Sequence, residues 1–75
     1  MTTILILHNS KGELRKALVL AKVTLAVSQF VSIQGATYRV EETFYDNSFN
    51  TTSWVLKEIA QNILALDQYI VKDSN

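Results

Sequence analysis

The chain contains one histidine, His8. An imidazole works as a general base when a nucleophile and an orienting carboxylate lie within hydrogen-bond reach. Ser10 and Glu13 are the nearby candidates, but their spacing matches no catalytic arrangement. His8 is therefore read as a strand-end histidine, solvated or bonded to the following loop. Glu41 and Glu42 are adjacent, so on a strand they point to opposite faces and form no close dyad. Asp46 meets one of them only through a bend. Gly12 and Gly35 are the two glycines, and they form neither a Walker nor a dinucleotide-binding pattern. No metal site, cofactor or catalytic residue is assigned, and the chain is expected not to be an enzyme.

Two other constellations suggest binding. Lys11, Arg15, Lys16 and Lys22 concentrate positive charge in residues 1–35, which balance to +3, while residues 36–75 balance to −3. The four cations form a possible phosphate-facing patch, with Phe30 or Tyr38 available to stack on bases. The simpler reading is two halves that complement each other within one fold or across a dimer. The second constellation is aromatic. Phe44, Tyr45, Phe49 and Trp54 fall within eleven residues and bracket a polar loop containing Asn47. Aromatics beside Asn, Ser and Thr resemble the composition of protein-binding hot spots. The competing role for Phe49 and Trp54 is to pack the start of a helix onto a sheet.

Composition narrows the classes. The 75 residues support a single domain, 1–75, and 48% of them are apolar with zero formal net charge. Disorder needs the opposite balance. With no cysteine there is no disulfide scaffold and no thiolate zinc site. A core this small rarely yields more than about 3–5 kcal/mol of net stability, so surplus apolar surface is expected to be covered by a second copy or a partner. The start of the chain lacks the positive region and the apolar length of a secretory signal. Ala17–Val27 is too short and too interrupted to span a membrane. A cytoplasmic protein is expected.

The elements that position these residues are then read from periodicity. The apolar run Thr3–His8 predicts a strand, and Asn9-Ser10-Lys11-Gly12 a hairpin loop. Glu13–Ser28 has two readings. Ser10 and Glu13 fit a capping box, which favours a helix. Alternation favours a strand, with Ala17, Val19, Ala21, Val23, Leu25 and Val27 on one apolar face, ending in a bend near Ala26–Gln29. The strand reading places Leu18 and Leu20 on the opposite face, where they join Phe30 in a possible homodimer patch. Phe30–Ile33 and Thr37–Glu41 predict a hairpin around Gln34-Gly35, pairing Ile33 with Ala36 and Val31 with Tyr38, and running on to Tyr45. From Trp54 to Val71 apolar residues recur at three and four, which predicts an amphipathic helix capped by Asn50–Ser53.

The fold expected from these readings is α+β: a small antiparallel sheet of about four strands, with one C-terminal helix packed on it. The alternative is βαββα, should residues 13–28 be helical. The function expected is a small non-catalytic protein that regulates by protein–protein contact, with Phe44, Tyr45, Asn47, Phe49 and Trp54 as the partner site. In size it compares with inhibitors carried by phages and mobile elements, an analogy of length alone. The alternative is a small nucleic-acid-binding β module.

Overall fold

The computed structural model describes residues 1–59 and the two-residue strand Ile70–Val71. The described chain is all β. The strands are β1 (Thr2–His8), β2 (Leu14–Leu20), β3 (Phe30–Ile33), β4 (Ala36–Asp46), β5 (Thr51–Glu58) and β6 (Ile70–Val71). They form one mixed sheet in the order β2-β1-β5-β4-β3-β6. β1 and β5 run parallel as neighbours, and the pairs β1–β2, β3–β4 and β4–β5 are antiparallel. Among the described residues no helix is long and apolar enough to cross a membrane.

The turns follow from their residues. Asn9 Oδ1 accepts from the amides of Lys11 and Glu13, each at 2.9 Å, and Gly12 sits at φ +85. At the second hairpin both Gln34 (φ 51) and Gly35 (φ 83) are left-handed, as a two-residue type I′ turn requires. The expected register holds, with Ile33 opposite Ala36 and Val31 opposite Tyr38. β4 continues to Asp46, one residue beyond the expected end.

The expected α+β architecture is overturned, because the helix proposed from Trp54 begins as a strand. Thr51–Glu58 pairs with β1 on one side and β4 on the other. Two features outweighed the three-and-four spacing. Thr51, Thr52, Trp54 and Val55 favour a pleated surface. Trp54 and Leu56 also alternate with Val55, so the same residues satisfy a period of two. Residues 60–69 of the proposed helix lie outside the described residues. The βαββα alternative falls too, since Leu14–Leu20 is a strand.

The strand reading of the middle segment holds as far as Leu20, but its facing is reversed. Leu18 and Leu20 pack against the core, while Val19 is 65% exposed and Ala17 is exposed. The reason lies in the register: Leu18 stands opposite Leu5 and Leu20 opposite Thr3, both on the inner face of β1. Beyond Leu20 the chain leaves the sheet. Thr3 Oγ1 accepts from the Val23 amide at 3.0 Å, and Leu25 is buried in the core. The expected bend is present, with the Gln29 amide on the Ala26 carbonyl and Ser28 at φ 75.

The core lies on the inner face. Leu5, Leu7, Val31, Ile33, Val40 and Leu56 are almost wholly buried, and Tyr38 and Trp54 complete the cluster. Each such aliphatic side chain contributes about 1.5–3 kcal/mol of transfer free energy. The sheet curls around this core. Arg15 on the outermost strand reaches Tyr38 on β4, and Lys16 bonds Gln34 in the β3–β4 turn.

Candidate interaction site

The β4–β5 hairpin projects the exposed aromatics. Phe44 is 51% exposed, Tyr45 55% and Phe49 78%. The connection is ordered by its own polar groups. Asp46 Oδ1 accepts from the amides of Ser48 (2.9 Å) and Phe49 (3.4 Å), and Tyr45 donates its hydroxyl to Asn50 Oδ1 at 3.0 Å. Asn50 closes the turn at φ 49, a conformation that Asn tolerates better than most residues. Asn47 is exposed at the tip. Asp46 is thus a turn former and not a partner for Glu41 or Glu42.

The expected partner residues divide in two. Phe44, Tyr45, Asn47 and Phe49 share the hairpin, whereas Trp54 belongs to the core. Its indole Nε1 is buried with no hydrogen-bond partner among the described residues. Phe44 and Tyr45 are neighbours on one strand and point to opposite faces. The aromatics therefore surround the hairpin and do not form one flat patch.

Phe44 also ends a row on the outer face of the sheet, where register aligns Val19, Ile4, Ser53 and Phe44. The next outer row aligns Ala17, Ile6 and Val55. Ile4, Ile6 and Val55 are half-buried, while Ala17, Val19 and Phe44 are exposed. This apolar outer surface was not anticipated from the sequence. Its signal was the unbroken run Ile4–Leu7, since a strand that is apolar on both faces is covered on both.

The expected homodimer patch is not assembled. Leu18 and Leu20 face inward, and Phe30 lies opposite Arg39 on the outer face at the far side of the sheet. The cationic patch is drawn out along β2. Lys11 sits in the first turn, Arg15 and Lys16 at one end of the strand, and Lys22 past the other. Lys16 lies near the start of β2 and Lys22 beyond its end, so the two do not share one patch. Arg15 is already engaged, with Nη1 3.0 Å from Glu58 Oε1 and 3.3 Å from the Tyr38 hydroxyl. Burial pushes the Tyr38 phenol above its ordinary pKa; Arg15 opposes this rise and Glu58 adds to it.

The possible chemical groups are dispersed. His8 lies opposite Lys57 on the outer face, while the Glu13 carboxylate accepts from Asn9 at 2.9 Å. Glu41 sits at a bulge and binds Arg39 at 2.8 Å, while Glu42 stands opposite Val55. Among the described residues no three His, Asp or Glu side chains cluster to hold a metal ion. No protein-family model matches the chain, and no curated protein or solved structure matches it either.

Proposed function

We propose that this chain is a small non-catalytic binding protein that acts by contact with another protein through the β4–β5 hairpin. The observation that carries this reading is the exposure of Phe44, Tyr45 and Phe49 on a hairpin fixed at its turn. Exposed large rings on an ordered scaffold offer contact area at little ordering cost. Phe49 at the tip is the anchor, with Tyr45 beside it. The role proposed is regulation of the bound protein, and the absence of cysteine suits the reducing cytoplasm.

Retention of a partner by immobilised protein tests the reading. The polypeptide held by wild type is expected to be lost from Phe49→Ala and Tyr45→Ala and kept by Lys11→Glu, with all three variants folded. Equal retention by the alanine variants would remove the hairpin from the site. Recovery of nucleic acid, lost in Lys11→Glu, would replace the reading with the nucleic-acid one.

A further inference from the structure

Among the described residues, two of the unpaired stretches of backbone in the sheet are long. The first is the outer side of β2. The second is the far half of β4, because β3 covers β4 only from Ala36 to Arg39 and Gln29 adds a contact at Val40. Among the described residues nothing pairs with Glu41–Asp46 on that side, and all six are exposed. The two stretches match in length, with seven residues in β2 and six in the open part of β4.

Alternation identifies the free groups. The Thr2 amide donates to Asn50, so Thr2, Ile4 and Ile6 turn toward β5, and Thr3, Leu5 and Leu7 toward β2. Ala17 and Val19, opposite Ile6 and Ile4, therefore direct their amides away from the sheet. By the same rule Thr43 and Tyr45 direct theirs away from β5. The charges are opposite. Arg15 is paired with Glu58 and Glu41 with Arg39, which leaves Lys16 on β2 against Glu42 and Asp46 on the open part of β4, where there is no cation. Charged edges discourage pairing of like with like, and here they favour pairing of unlike edges. With the outer faces of the two sheets on the same side, strand addition sets Phe44 beside the outer face of the neighbouring β2 and prolongs the Val19–Ile4–Phe44 row.

We propose that a second copy of this chain adds its β2 to the open half of β4, head to tail. Such a contact uses different surfaces on the two copies, so it closes into a ring or continues as a filament. It requires no other partner; it shares Phe44 and Tyr45 with the hairpin reading, whereas Phe49 at the tip lies outside it.

Two proline variants test it. Val19→Pro and Thr43→Pro each remove an amide aimed at the neighbour while sparing the ladders within the chain. In sedimentation, wild type is expected above the 8.5 kDa chain mass, rising with concentration and falling with added salt. Each variant alone should stay at the chain mass with an unchanged circular dichroism spectrum. Their equimolar mixture should give a species of twice that mass and go no further, because one active edge of each kind remains. If a proline variant fails to fold, Lys16→Glu and Glu42→Lys replace the pair: each alone should stay at the chain mass, and their equimolar mixture should associate again as the two reversed charges meet. Wild type that stays monomeric at millimolar concentration and low salt overturns the proposal. So does a variant that dimerises alone, or a mixture that does not pair.

Discussion

Arg15 and Glu58 meet at 3.0 Å although 43 residues separate them, with β1 lying between their strands. The contact joins the basic first half of the chain to the acidic second half. Its side chains are 45% and 30% exposed, so water screens much of the attraction. Arg15→Ala is expected to lower stability by about 0.5–1 kcal/mol, with the difference shrinking in high salt. Urea denaturation at two ionic strengths measures both.

Tyr38 gives this corner a pH dependence. Its phenol is held above the ordinary value of 10.0, chiefly by burial. Above that pH the unfolded chain releases the proton while the folded chain keeps it. The folded state then binds more protons, and stability falls as pH rises. The contribution of Tyr38 to stability is expected to be level below pH 10 and to decline above it through the folded-state pKa. Tyr38→Phe should flatten the decline, as followed by thermal unfolding across an alkaline series.

The Gln34-Gly35 turn separates backbone cost from packing cost. A Cβ at Gly35 would meet nothing within 4 Å, yet its φ of +83 disfavours any L side chain. Gly35→Ala should cost about 1 kcal/mol through conformation alone. Gln34→Asn, at φ 51, should instead be neutral or stabilising, since Asn tolerates this region. Chemical denaturation of the two variants supplies the comparison.

Aromatic truncations should sort by burial. Trp54→Ala, inside the core, is expected to cost about 3–5 kcal/mol and to leave the domain largely unfolded. Phe49→Ala, at 78% exposure, should change stability by less than about 0.5 kcal/mol. A large loss for Phe49→Ala would place its ring in the core and take it out of the partner site.

Leu56→Ala and Val19→Ala test the facing of β2 and β5 together. Leu56 is wholly buried and Val19 is 65% exposed. The first should cost about 2–5 kcal/mol and the second little. Equal costs, read by thermal unfolding, would show that the outer face is covered.

The sequence by itself determined the local features. Asn9 defines the first turn through a side-chain oxygen that accepts backbone amides, and Gly12 and Gly35 mark turns because few residue types tolerate left-handed backbone. Alternation defined the strands that flank those turns and the register of the second hairpin. Clustering singled out Phe44, Tyr45, Phe49 and Trp54 together, and the structure exposes the first three. Tertiary structure decided the rest. Whether Trp54–Leu56 became helix or strand depended on β1 and β4, which supply backbone partners on both sides and which local periodicity cannot represent. The inward turn of Leu18 and Leu20 depended on their pairing with Leu5 and Thr3, because a one-residue change of register exchanges the two faces of a strand. The separation of Trp54 from Phe49 had the same origin. Trp54 faces the core because β5 pairs with β1 and β4 on both sides, whereas Phe49 sits in the turn before β5 and faces solvent.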